Sequence, residues 1–444
     1  MMCDQPPRRQ GSIACDRTVR TPGFPPRDPR LARAVPLLVL SLASAVCAAA
    51  PPPVNGRLDH VGPFRTLFVW GTPHDMGVAH GYLLGDDIAA ILGSGGVLPI
   101  HGNPDMVDAL RRRLRGIIRV PPTTRAELEG MLEGIALRHG GQAPTVPGLG
   151  RPLTIDDLVL HNGADLLRAF GCSGFTGWGP RAGDAGVITA RTFDFPVTSR
   201  AMLRRQMLIV RRPTGAHQVA TVTMPGYIGA FTGINDAGVC TFMHDGTGSR
   251  RRTASGPPWT PVSLVLKDVL EATTATTAHA AAERALGAAA PYPFSYLIRV
   301  VGPRIPGRDA PPIRVFRIDG DGVSENPIGT AACITTNHYL TAAFRPARGA
   351  DDWSLERYDR LSRRIRGDVT SRAAWDALSA VASSSRGAPT LHAVVVYPER
   401  RTLDLALARW DGPAGPAPDR DGAVIPATEA APPVEITFAQ LFGP

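Results

Sequence analysis

An α+β fold built as one unit is what this 444-residue sequence predicts, and three features carry the expectation. Apolar positions ahead of residue 171 recur mostly at helical spacing, whereas from Cys172 onward short β-branched runs alternate with Gly, Pro, Asp and Asn. No internal repeat divides the chain. Hydrophobic residues make up 43% and charged residues 20%, which is enough to bury a large core and sets aside a disordered or fibrous chain.

Residues 1–50 read as an N-terminal extension and signal peptide. Arg30 and Arg33 precede an apolar run over 35–50 that is short for a bilayer span and has the shape of a secretory h-region. An exported protein, periplasmic or extracellular, with no stable membrane span in its mature form is therefore expected. The Pro- and Arg-rich stretch ahead of the run is long for an n-region, which fits a translation start further downstream. Ser44, Ala45 and Val46 ahead of Cys47 lack the leucine and the small final residue of a lipid-attachment site, so ordinary cleavage near Ala48 to Ala50 is expected instead. These fifty residues hold seven Arg and three Asp, leaving about +5 of the formal +9 for the remainder. With Lys267 the sole lysine and no basic stripe, a nucleic-acid partner is not expected.

Residues 51–171 form the helical part. A short strand at 67–70 leads through a turn into a helix beginning near Asp75 as N-cap, with Gly77 and Gly81 marking close packing. Residues 105–139 are helical, with Leu128, Met131, Leu132 and Ile135 on one face, and a further helix is expected over 155–170. Residues 172–415 are β-rich, with strands at 186–192, 207–211, 219–224 and 238–242, helices at 261–286 and 354–366, and a hairpin of 393–397 with 403–408. The Pro- and Ala-rich residues 416–444 read as a loose tail.

Past the signal only Cys172, Cys240 and Cys333 remain, an odd set with no C-x-x-C spacing, so at least one thiol is free and neither a disulfide framework nor a cysteine metal site is expected. Cys240 and Cys333 lie in apolar sequence, as small buried hydrophobes do. Cys172 opens a strand-like segment over 172–178, and residues 180–184 supply turn chemistry. A hairpin centred between Arg181 and Ala182 sets Arg191 opposite Cys172, to within about two residues. Asp194 follows at the strand end, before Pro196, where its carboxylate can fold back toward the cysteine's backbone nitrogen. A thiolate so placed suits nucleophilic acyl transfer through a thioester. Were the bond between Gly171 and Cys172 broken, the new α-amino group, with an ordinary pKa of about 7.7–8.0, would sit beside the thiol as its base. Taken alone the pattern is weak, and a buried cysteine near a surface arginine is its commoner explanation.

Five segments in order strengthen it: 71–81 (GTPHDMGVAHG), Cys172 followed by 190–195 (ARTFDF), 232–238 (TGINDAG), 336–339 (TNHY) and 354–358 (SLERY). On these the chain, from about 71 to 408, resembles the penicillin acyltransferase-like family of autoproteolytic N-terminal-nucleophile hydrolases, and more distantly bile-salt hydrolases, penicillin V acylases and acid ceramidase. The resemblance implies a four-layer αββα sandwich with two stacked antiparallel sheets, in which the chains 51–171 and 172–444 stay together after cleavage. It implies an amidohydrolase or acyltransferase acting on a linear amide of a small molecule, with no cofactor. Cys172 then looks like the nucleophile, Arg191 and Asp194 the pair that organises it, Asn337 the amide of the oxyanion hole, and Arg357 a buttressing arginine. The sequence departs from wider relatives in reading Met243-His244-Asp245 where an Asn is common, so His244 or a backbone N–H is the candidate second oxyanion donor.

Other candidates fall away or stand as alternatives. His74 and His80, with Asp75, are six residues apart and share no helix face, so no metal site is expected. Gly246-Thr247-Gly248 lacks the lysine of a phosphate loop. Phe175, Tyr227, Ile228 and Phe231 are expected in the core or the acyl pocket. His338 offers a papain-like pair with Cys172 that needs no self-cleavage, and a silent ligand-binding protein of the same fold is the third reading. Penicillins, N-acyl amino acids, acylated lactones, peptides and lipid amides all remain open as substrates.

Overall fold

The computed structural model describes residues 54–94, 104–166, 170–196, 200–246, 256–347, 350–385, 388–411 and 423–443. The signal segment 1–50, with Cys47, and Thr247 and Gly248 of the glycine-rich stretch lie outside the described residues.

A hairpin of β1 (Gly56–Val61) and β2 (Phe64–Gly71) leads into helices α1 (Pro73–Gly93), α2 (Pro104–Leu114), α3 (Pro122–Arg138) and α4 (Ile155–Asn162). Strands β3 (Gly171–Trp178) and β4 (Val187–Asp194) follow, joined by a 3-10 turn over Gly179–Ala185, then a short α5 (Arg200–Leu203). Next come β5 (Met207–Pro213), β6 (Val219–Thr223), β7 (Thr232–Asn235), β8 (Cys240–Asp245), α6 (Val262–Ala272) and α7 (Ala278–Ala289). Strands β9 (Tyr296–Val301), β10 (Ile313–Asp319), β11 (Gly322–Glu325) and β12 (Ala332–Thr335) precede α8 (Asp352–Arg364) and α9 (Ser371–Ser379). The hairpin β13 (Thr390–Tyr397) and β14 (Thr402–Leu407) is followed by β15 (Arg409–Asp411), β16 (Ala423–Ile425), α10 (Ala427–Ala430), β17 (Val434–Thr437) and α11 (Phe438–Phe442).

One sheet has nine strands in the order β1-β2-β5-β6-β7-β8-β9-β10-β11, a second has six, β12-β3-β4-β13-β14-β17, and β15 and β16 form a separate pair. Alternation along each strand sends one set of side chains between the sheets, where Phe68, Leu208, Val210, Phe242 and Leu297 meet Trp178, Val187, Val394 and Leu405. The opposite set faces helices. Leu67, Val69 and Ile209 pack on Met76, Leu128 and Met131 of α1 and α3, while Phe175, Ile188 and Val395 pack on Leu361 of α8, Ile365 at its C-terminal cap and Ala374 of α9. The result is the four-layer αββα sandwich.

Several expectations change in detail. The nine-stranded sheet is not purely antiparallel, because β2 and β5 pair in parallel: the chain passes through the helices and the other sheet before returning. The cap of α1 is Thr72, with Asp75 at the third helical position; the Asp75 N–H donates to Thr72 Oγ1 at 3.2 Å and the Thr72 N–H to Asp75 Oδ2 at 3.0 Å. Gly77 and Gly81 do mark a close helix contact, since a Cβ on Gly81 would stand 1.9 Å from the Met131 carbonyl oxygen of α3. The helix expected over 155–170 ends at Asn162, capped by Gly163, and the one expected over 261–286 is two helices interrupted at Thr273.

The tail is not loose in its described part. β17 adds an outer strand beside β14, and Ile436, Phe438 and Leu441 are buried in the inter-sheet core. Its alternating Val434 and Ile436 decide the outcome over its Pro and Ala content. Phe438→Ala is therefore expected to destabilise the protein by about 3–5 kcal/mol in a urea melt, as for other large buried aromatics.

Candidate active site

Cys172 lies at the first turn of pairing between β3 and β4. On β3 the even positions share the side of Trp178, which faces between the sheets, and the odd ones share that of Phe175, which faces α8 and α9. Cys172 thus points into the space between the sheets and is fully buried. Phe175, expected in the core or the acyl pocket, points the other way and belongs to the outer core with Leu361.

The hairpin register differs from the symmetric estimate by two residues: Cys172 faces Phe193, and Arg191 faces Gly174. The 3-10 turn, with Gly183 at φ 50°, moves the centre by one position, beyond what loop length reveals. A two-residue slip preserves the face. Arg191 therefore still meets the thiol diagonally, its Nη2 donating to Cys172 Sγ at 2.9 Å, with Nη1 on Thr232 Oγ1 at 2.7 Å and on the Phe231 carbonyl. The Met243 carbonyl accepts from the same Nη2 and lies 3.5 Å from the sulfur. Burial pushes the thiol up to about 11, opposed chiefly by the positive charge of Arg191, so it is protonated at neutral pH in the intact chain.

In the intact chain no hydrogen bond joins Asp194 to the backbone nitrogen of Cys172. It pairs opposite Gly171 on the face turned toward α8, where Thr390 Oγ1 donates to its Oδ1 at 2.5 Å and Arg357 Nη1 lies 3.8 Å from Oδ2. Oδ2 has no hydrogen-bond partner although it is buried. Burial raises the carboxyl's pKa, against the pull of Arg357 and Thr390. The Cys172 N–H instead donates to Asn337 Oδ1 at 3.0 Å.

Asn337 and Arg357 are brought to the same point. Arg357 Nη2 donates to Asn337 Oδ1 at 2.6 Å, and Nη1 to the Cys172 carbonyl at 2.6 Å and to Ser173 Oγ at 2.7 Å. These donors orient the Asn337 amide, so its Nδ2 faces the carbonyls of Asp245 (2.7 Å) and Phe170 (3.4 Å). Ser354, whose N–H the Asp351 cap of α8 accepts, in turn accepts the Asn337 N–H at 2.8 Å. One residue before Ser354, the Trp353 ring lies under the Arg357 guanidinium at 3.5 Å.

The remaining candidates separate. His244 is fully buried in β8, on the inter-sheet side with Phe242; burial and the charges of Arg191, Arg299 and Arg357 keep it neutral. Tyr227 is buried in the same apolar cluster as Cys172, stacked on Phe231 at 5.1 Å and donating to Ser263 Oγ at 2.8 Å. His338 engages Ser354 Oγ at 2.8 Å through Nδ1 and packs on Tyr358. No hydrogen bond joins it to Cys172 among the described residues, because its neighbour Asn337 takes the side facing the cysteine; the papain-like pair is not formed. His74 pairs with Glu133 at the surface and His80 accepts the Gly226 N–H, both structural roles.

Sequence reasoning missed Thr390 and Trp353, and assigned no role to Thr232 and Ser354 although both open segments that carry the resemblance. Trp353 carried a local signal in its four-residue spacing from Arg357 on one helix face. Among the described residues, no group of three His, Cys, Asp or Glu side chains gathers as a metal site, and no helix is long and apolar enough to cross a membrane.

Removing the charge beside the thiol gives a test of this geometry. In Arg191→Met the Cys172 pKa rises further, and alkylation of Cys172 by iodoacetamide at pH 8, read by peptide mass, is expected to slow about fivefold or more. An unchanged rate would contradict the electrostatic role.

No family model and no curated relative matches the sequence. Solved structures do. An N-acylethanolamine-hydrolyzing acid amidase ortholog from Caenorhabditis elegans is 17% identical, matching 51% of this chain and 93% of its own, with a TM-score of 0.36. A variant of conjugated bile acid hydrolase from Clostridium perfringens is 12% identical over 57% of this chain and 92% of its own, TM-score 0.37. Penicillin V acylase from Agrobacterium tumefaciens is 14% identical over 53% and 83%, TM-score 0.29. Likeness of this degree says nothing of substrate or residue roles, which rest on the geometry above.

Proposed function

We propose that the chain is a precursor that cuts itself between Gly171 and Cys172 and then acts as an amidohydrolase or acyltransferase on linear amides of small molecules, through a thioester on Cys172. The observation that carries this reading is the buried Asp194 Oδ2 beside that peptide bond, which no hydrogen-bond donor meets and which has only Arg357 Nη1, at 3.8 Å, as an ion-pair partner. A buried carboxylate oxygen left without a donor costs about 1–3 kcal/mol or more. An α-amino group released at Cys172 would supply the missing donor and also the base that the thiol lacks.

The steps balance. Cys172 Sγ attacks the Gly171 carbonyl carbon as the thiol proton leaves, the C–N bond breaks, and the Cys172 nitrogen gains a proton. Water then hydrolyses the Gly171 thioester, giving a carboxylate and a free thiol. In the second reaction the α-amino group takes the thiol proton, Sγ attacks the substrate carbonyl, and the amine leaves with a proton. Water or a second amine releases the acyl group. Arg191 favours the thiolate, and Asp194 holds the α-amino group. Departure of Phe170 frees an N–H of Asn337 Nδ2 for the oxyanion, worth about 3–4 kcal/mol in comparable sites. A pKa near 11 in the intact chain suits a latent nucleophile. We propose also that the precursor is exported by its signal segment and that the two processed chains stay together through the shared sheets.

Cys172→Ala is expected to give an uncut chain with activity lowered about a thousandfold or more, and Cys172→Ser a slowly cut one, by intact mass and amide hydrolysis. A cut or active Cys172→Ala protein contradicts the proposal.

A further inference from the structure

Gly171 has no positive φ, so its backbone conformation does not call for glycine. Space does. A Cβ there would lie 2.2 Å from Cη2 and 2.8 Å from Cζ3 of Trp353, and 3.1 Å from Asp194 Oδ2. The indole cannot yield freely, because the Arg357 guanidinium stacks 3.5 Å from its centroid while that guanidinium is bonded to the Cys172 carbonyl, Ser173 Oγ and Asn337 Oδ1. Trp353 is nonetheless 42% exposed, an unusual place for a large apolar ring, so it walls the scissile bond on one side and meets solvent on the other.

We propose that Trp353 is a specificity-determining residue that admits only acyl groups unbranched at the α-carbon. The inference rests on the self-cleavage reading. When the Gly171 carbonyl carbon passes from the Cys172 nitrogen to Sγ, the Cα of Gly171 is the α-carbon of the acyl group. A substrate acyl group later carried on the same Sγ brings its own α-carbon to the same indole wall. The substrate class is then R–CH2–CO–NH–R′. Peptides cut after a residue with a side chain are excluded, since their acyl half is branched at that carbon, whereas N-acyl compounds of straight-chain or arylmethyl acids fit.

The test has two arms. In the first, the fresh precursor and its Gly171→Ala, Trp353→Ala and doubly substituted forms are followed by intact mass. Gly171→Ala is expected to process about tenfold or more slower than the unaltered chain, and the double variant to recover to about the rate of Trp353→Ala alone. Unaltered processing in Gly171→Ala, or a double variant as slow as Gly171→Ala, overturns the inference. An unaltered chain that stays uncut overturns the self-cleavage reading itself, and needs no variant to be recognised. The second arm compares kcat/KM for octanoyl and 2-methyloctanoyl 4-nitroanilides and does not depend on the folding of Gly171→Ala. The processed enzyme is expected to prefer the unbranched amide about tenfold or more, and Trp353→Ala to narrow that preference about fivefold or more. A preference that Trp353→Ala leaves unchanged overturns the role of the indole.

Discussion

The guanidinium of Arg357 is the interaction on which the rest of the site depends. Anchored on α8, it bonds the Cys172 carbonyl, Ser173 Oγ and Asn337 Oδ1, lies against the Trp353 ring and stands 3.8 Å from Asp194. Burying a cation costs several kcal/mol unless its donors are met. Here they are met by the Cys172 carbonyl, Ser173 Oγ and Asn337 Oδ1, so the cost of burial and the positioning of these groups have one cause. Four separated stretches of sequence converge because one planar, five-donor group needs acceptors in a dry place.

Arg191 plays the complementary part on the other side of the cysteine. It is fully buried between the sheets, and its acceptors are the thiol, backbone carbonyls and a threonine hydroxyl. A positive charge so placed favours the thiolate over the thiol, while burial favours the thiol. In the intact chain burial prevails. On the proposed self-cleavage, the cysteine's backbone nitrogen would become an amine beside the thiol and alter that balance.

Much of this arrangement was legible in the sequence, for identifiable reasons. Helical periodicity and the change of texture at Cys172 separated a helical part from a β-rich part, the family resemblance supplied the four layers, and the spacing from Cys172 to Arg191 placed both on one hairpin. The diagonal contact survived a two-residue error in register because side-chain direction repeats every two residues. What was not legible depended on distant partners. Asp194 was expected at the cysteine nitrogen, but Asn337, 165 positions on, takes that donor, and Thr390 and Arg357 draw the carboxylate to the other face. His338 was tempting because it adjoins Asn337, yet its Nδ1 is engaged by Ser354 Oγ of α8. In the last stretch, Pro and Ala content masked the short apolar pattern of Ile436, Phe438 and Leu441 that closes the inter-sheet core.

The central claim is that the acyl carrier is a cysteine whose own nitrogen is free, and acyl trapping tests it most directly. The purified protein would be mixed with 4-nitrophenyl octanoate, quenched in acid within seconds, digested and analysed by peptide mass. The account predicts an octanoyl group on a peptide that begins at Cys172. An octanoyl group on an uncut chain, or on a residue other than Cys172, would contradict it.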